Sequence, residues 1–258
     1  MTSEIKESIK RAAHWIRMAR HAVVFSGAGI STPSGIPDFR GKKEGLWQRY
    51  DPMKVASLSA FIHTPEIFYD WFRPLFLTSW TAQPNAAHAG LAKLEETGYI
   101  QSIITQNIDG LHQKAGSQRV FELHGSALSF SCPGCGTSQP ASSVYQQFIS
   151  GVLIPECDQC HRVLKPEVVL FEESLPALVW QEAEEEVRKA DLVLVIGSSI
   201  EVYPACTLPQ QAIRHGSWVI INNLTPTPLD RNAAIVVQMD AAQFVPRLVE
   251  MILSTHND

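Results

Sequence analysis

Near its start the chain places Ile5, Ile9, Ala12, Ala13 and Ile16 at helical spacing, with polar residues between them, which predicts a helix whose apolar face packs on a sheet. Residues 21–25 form a short run of β-branched and aromatic positions broken by Ser26 and Gly27, the pattern of a strand. From 46 to 80 the chain is crowded with rings (Trp47, Tyr50, Phe61, Phe68, Tyr69, Trp71, Phe72, Phe76 and Trp80) without strand alternation, and this reads as a small helical subdomain with its own core. Asn85 stands where an N-cap would open a helix over 86–97, Gly98 closes it, and a strand follows over 100–105. This helix-then-strand rhythm breaks from about 126 to 165 and then resumes. Helix 178–189, strand 192–196, a helix ending at His215 and Gly216, strands 218–221 and 235–237, and a closing helix over 241–254 complete the chain. Such alternation predicts an α/β fold with a doubly wound, mostly parallel sheet and a small inserted module.

Ligands of such sheets bind beyond the carboxyl ends of the strands, so the residues that follow each strand are the ones to inspect. Gly27-Ala28-Gly29 follows the first strand, and its glycines would let backbone N–H groups approach a pyrophosphate. The ordinary dinucleotide fingerprint is not reproduced: Thr32 stands where a third glycine belongs, and the next glycine is Gly35. Pro33 and Pro37 then stiffen a loop that carries Asp38, Phe39 and Arg40. Gln106-Asn107-Ile108-Asp109, Gly197-Ser198-Ser199 and Asn222-Asn223 follow other strands with small or amide groups suited to a ribose, an amide and phosphates. These features point to a nucleotide cofactor and away from a dehydrogenase. His124 ends the apolar segment 120–124, between residues 104–112 and the interrupted stretch, and an imidazole there can exchange protons near neutral pH.

Five cysteines change the reading of the interruption. Cys132-x-x-Cys135 and Cys157-x-x-Cys160, with 21 residues between the pairs, have the spacing of a zinc site. Four thiolates leave no open coordination position, so one structural zinc ion is expected; His161 is a further nitrogen beside the last cysteine, but four sulfurs suffice. Cys206 is left over as a small apolar residue at a helix start. A net charge of −5 without long basic runs gives no footprint for nucleic acid and does not oppose a basic peptide. The polar opening residues and the lack of an apolar run of about 20 residues predict a soluble, cytoplasmic protein with neither signal peptide nor membrane anchor.

Taken in order, Gly27-Ala-Gly-Ile-Ser31, Pro37-Asp-Phe-Arg-Gly41, Thr105-Gln-Asn-Ile-Asp109, Leu123-His-Gly125, the four cysteines, Lys165-Pro166, Val168-Val169, Gly197-Ser-Ser199 and Val202-x-Pro204 resemble the sirtuin family of NAD-dependent protein lysine deacylases. The resemblance spans nearly the whole chain and is closest to single-core bacterial and archaeal members. It implies a Rossmann-like part made of residues 1–42, 84–125 and 166–258, with a helical insert over 43–83 and a zinc ribbon over 126–165. By the same resemblance Gly27, Ala28, Gly29, Ile30, Ser31, Gly197, Ser198 and Ser199 hold the phosphates and adenosine half of NAD, Asn222 lies near the adenine ribose and Asp240 near the adenine. Gln106, Asn107 and Asp109 belong to the nicotinamide pocket, Ile36 and Ile108 form its walls, Asp38 and Arg40 lie along the cofactor and Phe39 shields the reacting face. The implied reaction releases nicotinamide, free lysine and 2′-O-acetyl-ADP-ribose, with Asn107 and His124 as catalytic residues and His124 as general base on the ribose hydroxyls.

An acyl-lysine protein or peptide would add as a strand between Val168-Val169-Leu170-Phe171-Glu172 and the segment holding Val202 and Tyr203. Here the chain departs from the family. Glu172 replaces the glycine of the usual Phe-Gly-Glu run, an exchange expected to alter the peptide edge and to favour basic sequences. Members that remove succinyl groups carry Tyr-x-x-Arg, whereas Tyr69 is followed at that spacing by Phe72, with Arg73 one residue later, so acetyl or longer apolar groups are favoured. Mono-ADP-ribosyl transfer or NAD glycohydrolysis in the same cleft is the alternative. Intact Asn107, Asp109 and His124 argue against a silent binder.

Overall fold

A computed structural model describes residues 2–41 and 45–254. The expected start of the helical insert at residue 43 lies outside the described residues. Helix α1 (Ser3–Met18) is capped by Thr2, whose hydroxyl accepts the Ile5 N–H. It leads into β1 (Ala22–Ser26), and the large sheet is completed by β2 (Ser102–Thr105), β3 (Val120–Glu122), β7 (Leu192–Ile196), β8 (Trp218–Asn222) and β9 (Ile235–Val237). Strand order is β3-β2-β1-β7-β8-β9 and every pair is parallel. The chain leaves β1 to build one half of the sheet and returns at β7 to build the other, so the switch point lies between these two strands.

Both faces of the sheet are covered, which is why its central strands read as continuous apolar runs. Val24, Ile103, Leu194 and Ile220 pack with α1, α5 (Ala86–Glu96) and α10 (Ala241–Leu253) through Ile9, Ile16, Leu91, Leu94, Phe244 and Leu248. Val23, Phe25, Ile104, Val193, Val195 and Ile221 pack on the opposite face with α8 (Ala177–Lys189) and α9 (Thr207–Arg214) through Ala183, Val187, Leu208 and Ala212. Full burial of each larger apolar side chain contributes about 1.5–3 kcal/mol.

A smaller antiparallel sheet has the order β5-β4-β6, from β4 (Gly125–Ser131), β5 (Ser138–Pro140) and β6 (Lys165–Val168). Against it lie α4 (Pro65–Thr81) and α7 (Ala141–Ile149), and α2 (Pro52–Val55) and α3 (Leu58–His63) pack on α4; the short α6 (Leu111–Lys114) follows β2. The aromatic residues of 46–80 do not form a core alone. Phe68, Tyr69, Phe72 and Phe76 share one apolar cluster with Phe130, Val144, Phe148 and Leu164, so the two interruptions of the α/β rhythm fold into one body. Among the described residues no helix is long and apolar enough to cross a membrane.

Candidate active site

The carboxyl ends of β1, β2, β7 and β8 open into a cavity of about 1640 Å³, between the large sheet and the small module. This exceeds the roughly 300–1,000 Å³ of an ordinary small-ligand pocket and leaves room for a dinucleotide and a side chain together. Of the cofactor residues expected from sequence, Gly27, Ala28, Gly29, Ser31, Ile36, Asp38, Phe39, Arg40, Gln106, Asn107, Ile108, Asp109, Gly197, Ser198, Ser199 and Asn222 line it. So do His124 and, along the proposed peptide edges, Val168, Val169, Leu170, Phe171, Glu172, Val202 and Tyr203. Two do not. Ile30 is fully buried in the sheet core, and Asp240 caps α10 through the Gln243 N–H.

The glycines of the first turn also join the two halves of the large sheet. The Gly27 N–H donates to the Ile196 carbonyl and the Gly29 N–H to the Gly197 carbonyl, at 3.0 and 2.8 Å, so neither is left to bind a phosphate. A Cβ on Gly29 would lie 2.8 Å from the Gly197 backbone. The glycines let the ends of β1 and β7 approach each other at the switch point; among the described residues, the Ala28 N–H has no protein acceptor.

Behind this turn lies a polar network. Asn107 Nδ2 donates to the Gly27 carbonyl and to Ser31 Oγ, at 3.3 and 3.1 Å. Ser31 Oγ donates to Asp109 Oδ2 at 2.7 Å, and the Leu111 N–H holds Asp109 Oδ1 at 2.9 Å. Burial pushes the Asp109 carboxyl above its ordinary value, and these two donors oppose the shift. At the other side Asn222 Nδ2 holds the Val237 and Met239 carbonyls, while its buried Oδ1 has no partner among the described residues. That acceptor, placed in the cavity wall, suits a ribose hydroxyl, and the residues present therefore fit the cofactor that the sequence implies.

His124 sits between β3 and β4. Gly125 has φ +71°, and a Cβ there would be 2.1 Å from the Glu167 carbonyl, so glycine allows the turn that brings His124 to the cavity. Its Nδ1 stands 2.9 Å from the Gln106 carbonyl oxygen, a pure acceptor. The proton is therefore on Nδ1, and Nε2 carries the basic lone pair. Burial lowers the His124 pKa from 6.5; the bond to Gln106 opposes this, and the charge of Arg40 adds to it.

Several residues of the site carried no legible motif. His88 and His112 are buried beneath the network with ring centroids 5.0 Å apart. His88 Nδ1 takes the Asn85 N–H in a capping box, and its Nε2 lies 3.4 Å from Ser31 Oγ; His112 Nε2 lies 2.9 Å from Ser26 Oγ. Trp47, Trp71, Phe72, Leu75 and Phe76 line the cavity as well. Trp47 contacts Phe39, Trp71 and Phe171 at centroid distances of 5.2, 5.7 and 6.0 Å, joining the cofactor loop to the peptide edge. Capping at Asn85 and aromatic crowding were the only signals in the sequence. Tyr69 faces the other way, fully buried, with its hydroxyl donating to the Leu164 carbonyl.

The four cysteine sulfurs lie within 4.8 Å of one another, with Cys132–Cys160 and Cys135–Cys157 at 3.3 and 3.6 Å. A tetrahedral zinc with bonds of about 2.3 Å requires sulfur separations of about 3.8 Å, so the donor set fits. His161 is not part of this cluster, and no cysteine lines the cavity.

Residues 27–204 match the Sir2 family. The chain is 43% identical over 249 residues to NAD-dependent protein deacylase 2 of Archaeoglobus fulgidus, covering 96% of this chain and 97% of that protein. It is 44% identical over 239 residues to NAD-dependent protein deacetylase 1 of Geobacillus kaustophilus, covering 92% and 96%. A solved structure of Sir2 with a p53 peptide and NAD+ superposes with a TM-score of 0.86 at 40% identity, covering 94% and 97% of the two chains.

Proposed function

The chain belongs to the Sir2 family, and from that premise we propose that it is an NAD-dependent protein lysine deacetylase that yields nicotinamide, deacetylated lysine and 2′-O-acetyl-ADP-ribose. The observation that carries the reading is the His124 tautomer, an imidazole with its basic nitrogen unengaged in a cavity large enough for both substrates.

Bound NAD supplies a ribose carbon that becomes electrophilic as nicotinamide leaves, and hydroxyls that accept the acyl group. The chain's residues bind, orient and move protons. Asp109, fixed by Ser31 and Leu111, takes the carboxamide of nicotinamide, with Asn107 braced against the same serine. Asn222 Oδ1 accepts from the adenosine ribose, and Gln106 is held by its bond to Ser198 at 2.8 Å. His124 Nε2 takes the ribose hydroxyl proton, a step of general-base catalysis that contributes typically 10²–10⁴-fold. Phe39, backed by Trp47, excludes water from the reacting carbon.

The acyl end of the cavity supports apolar groups, acetyl or longer, since Trp71, Phe72, Leu75 and Phe76 line it. One zinc on the four cysteines would hold the small module together, and four unpaired thiols suit a reducing, cytoplasmic setting. A net charge of −5 supports peptide rather than nucleic-acid partners. We read the chain as one catalytic domain, a Rossmann-like part with a smaller module.

The test follows nicotinamide release with NAD alone and with NAD plus an acetyl-lysine peptide. Release that depends on the acetylated peptide supports the proposal. Equal release without peptide overturns it in favour of glycohydrolysis.

A further inference from the structure

Glu172, where the family pattern has glycine, has φ +77°, in the left-handed region that disfavours any side chain. Its side chain is nevertheless engaged. Glu172 Oε2 accepts the Ser59 N–H at 2.8 Å, in the first turn of α3. Next to it the Phe171 N–H donates to the Ala56 carbonyl and the Leu58 N–H to the Phe171 carbonyl, both at 3.0 Å. Residues 56–59 and 171–172 are thus joined by two backbone bonds and by the Glu172 carboxylate, which the Ser59 side chain reaches as well as its N–H; only the carboxylate link needs a particular side chain at 172. The following carboxylate is turned to its own strand, where Glu173 Oε2 accepts the Leu170 N–H and pairs with Lys165 at 2.9 Å. Among the described residues, the N–H and C=O of Glu172 itself make no hydrogen bond, and Glu172 lines the cavity.

We infer that Glu172 is a positioning residue for the substrate peptide, its carboxylate anchoring the rim to α3 so that its own unpaired N–H and C=O stand fixed at the edge where the peptide strand adds. The inference rests on the proposed peptide site. It replaces charge recognition by Glu172 with an acceptor's role: glycine would reach the same φ without strain but would leave the rim untied.

The experiment compares wild type, Glu172→Gln, Glu172→Ala and Glu172→Gly on acetylated peptides with basic and with neutral flanks. Loss of the anchor in the alanine variant raises the peptide KM roughly threefold, the low-end effect of one solvent-exposed hydrogen bond, with the change in KM rather than kcat. The glycine variant also raises KM, and glutamine, which keeps an acceptor oxygen, restores it for both peptides. A KM that rises in Glu172→Gln for basic flanks alone overturns the inference in favour of charge recognition, and an unchanged KM in Glu172→Ala overturns it outright. Amide hydrogen exchange of Ser59 is read in parallel and needs no turnover: protection in wild type and Glu172→Gln, lost in Glu172→Ala, supports the anchor even if deacetylation itself is not found, and equal exchange in all variants refutes it.

Discussion

His124 Nδ1 donates to the Gln106 carbonyl oxygen at 2.9 Å, and this one bond fixes which nitrogen of the imidazole can act as a base. Because burial lowers its pKa below 6.5, the neutral form persists into mildly acidic solution. In the pH dependence of kcat/KM, which reports the free enzyme, the acid limb is expected below pH 6.5. Arg40→Gln, by removing a like charge, is expected to move that limb upward, whatever it does to cofactor affinity. A limb that stays in place shows that Arg40 does not act on His124.

Ser31→Ala deprives Asp109 of one of the donors that hold its carboxylate ionised against burial. The Asp109 pKa rises further, so the acid limb of kcat/KM for NAD is expected to move to higher pH than in wild type, with the loss recovered as pH rises. A loss that is equal at every pH would mean that the serine acts through its bond to Asn107 or by packing and not through the Asp109 charge.

His88 and His112 tie the site to acid stability. Burial lowers their pKa values to about 4 and about 3, from 6.5. The native state therefore stays neutral where the unfolded chain takes up protons. The stability they confer is complete above pH 6.5 and is lost as pH falls from 6.5 toward those values, at up to about 1.4 kcal/mol per pH unit for each group. Urea unfolding between pH 7.5 and 4.5 checks this, and His112→Gln is expected to flatten the slope by one proton's share.

Chelation bears on the small module. Cys132 and Cys157 are buried in the aromatic cluster, so removal of a zinc ion is expected to lower the melting temperature of that module and abolish activity together. Metal analysis should give one zinc per chain. Activity lost with no change in thermal unfolding would point instead to a catalytic ion.

Tyr69 is committed to the Leu164 carbonyl in the core, and Arg73 lies outside the cavity lining. Among the described residues neither Tyr69 nor Arg73 reaches the cavity to hold a second carboxylate, and deacetylation and depropionylation are each expected to exceed desuccinylation at least tenfold on one peptide sequence, the scale of a single unmatched charge. Comparable rates would show that another group binds the succinyl carboxylate.

The parts of the chain that could be read were those whose meaning is local. Residues 192–196 are buried on both faces and so unbroken in apolar character, and Asn85 announces its helix by its own side chain. The four cysteines declare a site by spacing alone. The pairing of the Gly27 and Gly29 N–H groups could not be read, because their partners, Ile196 and Gly197, lie far along the chain, and nothing near a glycine tells whether its N–H is free. His88 and His112 were invisible for the same reason, since their burial is created by elements brought together only in the fold. The rings of α4 posed a different difficulty. Phe72 and Phe76 belong to the core and to the cavity wall at once, so periodicity could not separate the two roles.

The central claim is tested most directly by mass spectrometry of the purified protein with NAD and an acetyl-lysine peptide, wild type beside His124→Ala. Deacetylated peptide, nicotinamide and O-acetyl-ADP-ribose in equal amounts, lost together in the variant, is the predicted result; nicotinamide released without deacetylated peptide would contradict it.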